Sequence, residues 1–218
     1  MNLLDLFVKI SVQDEASENV ETLSGKFKNG LATAAKVGAA AVGAAAAGIA
    51  VLTKNALNNY AEYEQLVGGV DTLFKDSSAK VQKYAANAYK TAGLSANEYM
   101  DTVTSFSASL LQSLGGDTEA AADMANVAIT DMADNANKMG TDMASIQNAY
   151  QGFAKQNYTM LDNLKLGYGG TKEEMQRLIN HANELNAAQG KYTDYSIESY
   201  ADIVSAIHDV QVEMGIYG

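Results

Sequence analysis

The sequence predicts an all-α protein, in which one short N-terminal β-strand and a long Ala/Gly-rich helix precede a bundle or array of amphipathic helices. Three observations support this prediction. The 218 residues contain no proline, the residue that interrupts helix interiors because it lacks an N–H and clashes with the preceding turn. Strong helix formers such as Ala, Leu, Lys, Glu and Gln are abundant. Apolar residues also recur at three- and four-residue steps through most of the chain, which places them on one face of a helix.

The strand is expected over residues 6–12. Its apolar side chains alternate with the others at a period of two, which is typical of a strand, at Leu6, Val8, Ile10 and Val12. No later segment gives a strand signal of equal quality, so its partner is expected to be another chain or a weaker segment. A frayed lead-in to the first helix is the alternative interpretation.

Residues 1–55 are predicted to form an N-terminal domain that consists of this strand and the Ala/Gly-rich helix. Small and apolar residues recur in a heptad-like pattern from Val20 to Val51. Because these residues are small, the pattern favours close packing of the helix against copies of itself in a coiled coil. The sequence therefore predicts self-association through this helix.

The same helix contains an uncharged run, Val37–Thr53. A run of about 17–25 apolar residues is long enough to cross a bilayer. Alanine contributes little to insertion, however, and Gly38, Gly43 and Gly48 are too far apart to form a GxxxG face. Packing is therefore favoured, while transient membrane contact stays open as an alternative.

Residues 56–218 are predicted to form a second, helical domain. A first helix is expected over residues 55–75, interrupted at Gly68-Gly69, and a second over Ala79–Ala92 with its N-cap within residues 76–78. Gly93 is expected to end the second helix. Ser95-Ala96-Asn97-Glu98 matches a capping box and predicts a third helix that runs to about Leu114.

The later helices are bounded in the same way. Gly115-Gly116 and Asp117 predict a break and a cap before a helix over residues 118–139. Its Met/Ala stripe is interpreted as an ordinary core face, with Asp123, Asp131 and Asp134 off that stripe. Three more helices are then expected: Met143–Gln156, a helix from a second capping box at Thr171 to Ala188, and a helix capped by Ser196 that runs to about Met214.

Charge and composition exclude several classes of function. The net charge is −11 and Arg177 is the only arginine, whereas phosphate backbones require clustered basic residues. Direct nucleic-acid binding is therefore not expected. With no cysteine, disulfides and thiolate metal sites are ruled out. The residues after Met1 lack the basic region of a secretory signal peptide.

A search for catalytic, cofactor-binding or metal-binding residues predicts none. Residues 167–172 resemble a phosphate loop but lack the glycine that must precede the lysine, so a turn that leads into a capped helix is favoured. His181 is expected to be solvated and His208 to be a partly buried helix residue. The carboxylates are expected on polar helix faces. The chain is therefore predicted not to be an enzyme.

Several blocks resemble the tape-measure (minor tail) proteins of long-tailed phages and prophages of Gram-positive bacteria. Residues 60–74, YAEYEQLVGGVDTLF, look like the YxxYEQLVGGVxTLF block of that family. Similar to the family are also residues 115–117 (GGD), 132–141 (MADNANKMGT), 146–157 (IQNAYQGFAKQN) and 158–175 (YTMLDNLKLGYGGTKEEM). The likeness extends over essentially the whole chain.

The resemblance implies a structural virion component that fills the tail lumen, sets tail length during assembly and assists genome ejection. It implies the tail-tube protein, tail assembly chaperones and distal tail or baseplate proteins as partners. The expected locations are the host cytoplasm during assembly, the virion tail, and the host membrane on ejection. Family members are usually several times longer, so the chain is expected to be an N-terminal piece; a membrane-active helical protein is the alternative.

Overall fold

The computed structural model describes Asn59 and residues 61–217, and every described element of regular structure is helical. Helix α1 covers residues 61–74 and continues through the 3-10 turn Lys75–Ser77 into α2. The α-helices that follow are α2 (Ser78–Thr91), α3 (Ala96–Ser113), α4 (Thr118–Met139), α5 (Met143–Phe153), α6 (Lys172–Ala188) and α7 (Tyr200–Glu213). The all-α prediction is confirmed for these residues. The predicted strand, the Ala/Gly-rich helix and the domain boundary at residue 55 lie outside them.

Several predicted helix ends are confirmed. Ser95 forms the full capping box, since its hydroxyl accepts from the Glu98 N–H while the Glu98 carboxylate accepts from the Ser95 N–H. Asp117 caps α4 with its side chain, which accepts from the N–H groups of Glu119 and Ala120. Glycine is favoured where φ is positive, as at Gly140 (φ +62), which ends α4.

The capping box at Ser95 is expected to stabilise the fold. Replacement of Ser95 by alanine removes the acceptor for the Glu98 N–H and is expected to lower the free energy of unfolding by about 1 kcal/mol. Chemical denaturation measures the change. Ser95→Asp retains an N-cap acceptor and is expected to stay close to wild type, whereas equal losses for both variants would contradict a capping role.

Of two predictions near α1 and α2, the first is wrong and the second is confirmed only in the position of the N-cap. Gly68-Gly69 do not interrupt α1, which passes through both residues; glycine in a helix interior costs only about 1 kcal/mol, which tertiary packing readily offsets. Ser77 occupies the N-cap of α2 but its side chain makes no capping hydrogen bond. Its hydroxyl instead lies 2.9 Å from that of Thr118, because the 3-10 turn runs directly into α2 and leaves little to cap.

The bounds of α5 and α7 differ from the predictions, whereas α6 has the predicted bounds. α5 ends at Phe153, since the N–H of Asn157 turns back to the carbonyl of Gly152 at 2.9 Å. The N-cap of α7 is Ser199 and not Ser196. At α6 only half of the predicted capping box forms: Thr171 accepts from the Glu174 N–H, while the Glu174 carboxylate accepts from the Gly169 N–H at 3.0 Å.

Helix α4 is the centre of the described bundle and packs against α2, α3, α5 and α7. α6 packs against α7 on the outer side, and α3 contacts α2, α5 and α7. Apolar residues that recur at three- and four-residue steps along α3 and α5 are buried, at Tyr99, Val103, Phe106, Leu110, Ile146, Tyr150 and Phe153. Burial of each such side chain contributes about 1.5–3 kcal/mol. Met214, a predicted apolar position of the last helix, is instead 43% exposed.

The described residues do not bear on the membrane alternative. None of their helices combines the length and the hydropathy that a bilayer crossing requires. The run Val37–Thr53, on which that alternative depends, lies outside them.

Candidate functional site

A buried carboxylate lies in the middle of α4. Asp131 is 0% exposed, although the sequence places it on a polar face, so that prediction is wrong. Helices α2, α3, α5 and α7 surround α4, and more than one of its faces is therefore buried. The apolar stripe in the sequence of α4 indicates only one of those buried faces.

Asp131 is paired with His208 of α7. The His208 Nδ1 atom lies 2.9 Å from Asp131 Oδ1 and 3.1 Å from Oδ2. The His208 side chain is 27% exposed, which confirms the prediction of a partly buried helix residue. The sequence did not identify Asp131 as its partner. Because the two residues are 77 positions apart, the pair ties α7 directly to the central helix.

The pair retains protons to higher pH than isolated side chains would. The hydrogen bond that the Asp131 carboxylate accepts from the His208 ring raises the pKa of His208, although burial acts in the opposite direction. Burial raises the pKa of Asp131, and the hydrogen bond to His208 opposes this change. The pKa of His208 is raised because its partly exposed ring is in direct contact with a carboxylate.

Three further polar side chains are buried beside this pair. Asn135 of α4, Tyr150 of α5 and Gln211 of α7 are each at most 1% exposed, and we call these three residues with Asp131 and His208 the polar cluster. Asn135 Nδ2 donates to the Leu164 carbonyl at 2.9 Å. Its Oδ1, the Tyr150 hydroxyl and both amide atoms of Gln211 make no regular hydrogen bond with other described residues.

Burial controls the chemistry of Tyr150. It raises the pKa of the phenol well above the ordinary value, and the nearby charge of Asp131 adds to this rise. The Gln211 amide acts against it and lies close to the hydroxyl, without the alignment of a regular hydrogen bond. Tyr150 is therefore a neutral phenol that carries both a donor and an acceptor into the interior.

A histidine whose Nδ1 contacts a buried carboxylate is one half of the arrangement used in general acid–base catalysis. Such catalysis also needs a reacting group within hydrogen-bond reach of the other ring nitrogen. Here the His208 ring meets the ring of Tyr217 edge-on, with centroids 4.8 Å apart and an interplanar angle of 80°. The contacts of the cluster therefore support a structural and proton-holding role.

The other predicted histidine has a different environment. His181 was expected to be solvated, but it is half-buried and its Nδ1 lies 2.7 Å from the Tyr168 hydroxyl. The Arg177 guanidinium stacks on the same Tyr168 ring, 4.3 Å from its centroid. The solvated assignment is wrong because the loop before α6 folds back over the helix, which the sequence spacing does not reveal.

The glycine-rich loop is a turn that leads into a capped helix, as predicted. Thr171 is the N-cap of α6. The Gly169 N–H donates to the Glu174 carboxylate, so an acidic side chain of the protein occupies the position at which a phosphate loop would hold its ligand.

One sequence signal could have pointed to the polar cluster. Asp131 and Asn135 are four residues apart and His208 and Gln211 three apart, so each pair shares a helix face. Both pairs adjoin strongly apolar positions, and a polar pair within an apolar face is a mark of a buried network. Which two helices meet there depends on the tertiary structure.

Within residues 61–217, no three or more His, Asp or Glu side chains are grouped so that they could hold a metal ion. Comparisons with protein-family models, with curated proteins and with solved structures find no significant match to this chain.

Proposed function

We propose that the chain belongs to a phage tail tape-measure protein, a non-enzymatic structural component of the virion. The observation that carries the proposal is the set of sequence blocks that resemble this family, above all residues 60–74, 132–141 and 146–175. The role includes filling the tail lumen, setting tail length and assisting genome ejection. It requires no cofactor.

The positions of these blocks in the fold support the proposal. Residues 61–74 of the first block form α1, whose Val70 and Phe74 are fully buried. The blocks within 132–175 contact one another: besides the bond from Asn135 to Leu164, Lys165 Nζ donates to the Met139 carbonyl at 2.9 Å. The resemblance thus involves residues that hold a common substructure together, and not only surface composition.

The fold refines which part of the task these residues perform. A straight helix of 218 residues would extend for about 330 Å, whereas the 22 residues of α4, the longest helix in the described part, extend for about 33 Å. Residues 61–217 fold back on themselves as a helical bundle. We infer that they form a folded body of the tail protein.

The proposed partners follow from this role. They are the tail-tube protein, the tail assembly chaperones and the distal tail or baseplate proteins, with self-association in the lumen. The chain would occupy the host cytoplasm during assembly and the virion tail afterwards, with transient contact with the host membrane on ejection. The membrane-active alternative depends on Val37–Thr53 alone.

Deletion of the gene from the phage or prophage that carries it tests the proposal. We expect tails to be absent or irregular in length by electron microscopy, and complementation to restore a single length. In-frame deletions outside residues 61–217 are expected to shorten tails by about 1.5 Å per residue removed. Tails of normal length without the gene would refute the proposal.

A matched pair of tyrosine variants tests the contribution of the folded body. Tyr99 is 1% exposed and Tyr192 is 92% exposed. Tyr99→Ala is expected to reduce incorporation into tails, because it opens the core between α3 and α4. Tyr192→Ala is expected to give tails of wild-type length and number, and equal tail defects in both variants would contradict a need for the folded body.

A further inference from the structure

The chain after α7 folds back over His208. Gly215 turns with φ +66, and the Ile216 N–H donates to the Gln211 carbonyl at 2.8 Å. Ile216 is 3% exposed and Tyr217 lies against the His208 ring. We call residues 215–217 the C-terminal strap.

The strap is also fastened to α4. Lys138 Nζ donates to the Gly215 carbonyl at 3.3 Å, about two helical turns beyond Asp131. His208 therefore lies between the buried carboxylate of α4 on one side and the strap on the other. Separation of the end of α7 from α4 would break the ion pair and the hydrogen bond from Lys138 to the strap.

The charges around His208 favour its protonated form. On α4, Asp131 raises the pKa of His208. The charge of Asp134 acts on Asp131, and Lys138 contacts the strap. On α7 itself, Asp209 adds to the rise in the pKa of His208.

The remaining elements around α7 contribute groups that stay neutral. From α5, Tyr150 is a neutral phenol because burial raises its pKa. Burial and then Asp209 raise the pKa of Tyr195, in the loop before α7, to about 12. From α6, Asn186 donates to Asp209 at 2.6 Å, and α3 packs on α7 through Phe106, whose ring centroid is 6.2 Å from that of Tyr200.

We propose that Asp131 and His208 form a protonation-controlled latch, which holds the end of α7 and the C-terminal strap against α4 while His208 carries its proton. The direction follows from linkage. His208 has a higher pKa in the closed latch than when exposed, so its stabilising contribution is complete below the ordinary histidine pKa of about 6.5. That contribution is lost as the pH rises through the raised value.

Hydrogen exchange of the Ile216 amide, measured by NMR between pH 5.5 and 8.5 on the whole chain, tests the latch. After correction for intrinsic exchange, its protection is expected to fall with the midpoint of the His208 imidazole titration. The fall is expected to be about tenfold for each unit by which the pKa of His208 exceeds that of an exposed histidine. Gly116 provides a reference amide, since its N–H bonds the carbonyl of Leu111 at 2.8 Å in the same way after α3.

Two variants complete the test. His208→Gln is expected to abolish the pH-dependent step at Ile216, whereas His181→Gln, which changes the other histidine, is expected to leave it intact. If His208→Gln does not fold, agreement between the two midpoints in wild type decides the question. The latch is refuted if Ile216 and Gly116 show the same pH dependence, or if the step persists in His208→Gln.

Discussion

At about pH 6, where His208 carries its proton, replacement of His208 by alanine is expected to lower the free energy of unfolding by about 3–5 kcal/mol. The change leaves the Asp131 carboxylate fully buried without the partner that faces both of its oxygens. Removal of one member of a buried pair is costly because the remaining charge has lost its solvation and gains nothing in return. Urea denaturation at fixed pH measures the loss.

The loss should depend on pH in a defined direction. Burial raises the pKa of Asp131, and His208 is the group that opposes this rise, so the pKa should rise further in the variant. A carboxyl whose folded pKa is raised stabilises the folded state below its unfolded pKa of about 3.9, and this advantage is lost as pH rises through the folded value. The gap between variant and wild type should therefore be small in acid, largest at about pH 6, where His208 is protonated, and smaller again as the pH rises through the raised pKa of His208.

Asp131→Asn supplies the matched background for this prediction. The asparagine has nearly the same shape but no charge to leave unpaired, so His208→Ala should cost much less in that background than in the wild type. The difference between the two costs is the coupling energy of the pair. Equal costs in both backgrounds would mean that His208 acts by packing alone.

Gly170→Ala is expected to lower the free energy of unfolding by about 3 kcal/mol, at the upper end of the range for overpacking. A Cβ at this position would lie 2.9 Å from the carbonyl carbon of Thr159 and closer still to its oxygen. The obstacle is backbone, which cannot rotate away as a side chain can. The segments of the α5–α6 connector that contain Thr159 and Gly170 would have to move apart.

Gly169→Ala is the control for this prediction. A Cβ there would meet only Glu174 Cγ, at an ordinary contact distance of 3.5 Å. We expect a change within about 0.5 kcal/mol, as for most substitutions that meet no obstacle. Thermal unfolding of the two variants side by side distinguishes a specific clash at Gly170 from a general sensitivity of the loop.

The helical architecture of the described residues could be predicted because its signals are local. A capping box needs only Ser95 and Glu98, and the end of α4 needs only a glycine that tolerates positive φ at Gly140. The same local logic failed where contacts between distant segments decide the outcome. Gly68-Gly69 stay helical because Val70 and Phe74 anchor α1 in the core, and Ser77 faces Thr118 of α4 instead of capping α2.

The candidate site lay largely beyond sequence reasoning. Asp131 looked like a surface carboxylate, since nothing in its own helix indicates how many neighbours that helix has. Tyr150 lies on the apolar face of its own helix, but the neighbours of its hydroxyl come from α4 and α7. The pairing of Asp131 with His208 joins residues 77 positions apart, a separation at which one sequence alone contains no pairing signal.

The sequence by itself therefore determined the helices of residues 61–217, most of their caps and much of the apolar core, and it supplies the resemblance on which the proposed function rests. Only the tertiary structure decided that α4 is central, that Asp131 is buried against His208, and that the strap closes over this pair. The physical reason is range. Helix propensity and capping act over about four residues, whereas burial, desolvation and ion pairing depend on which helices surround a side chain.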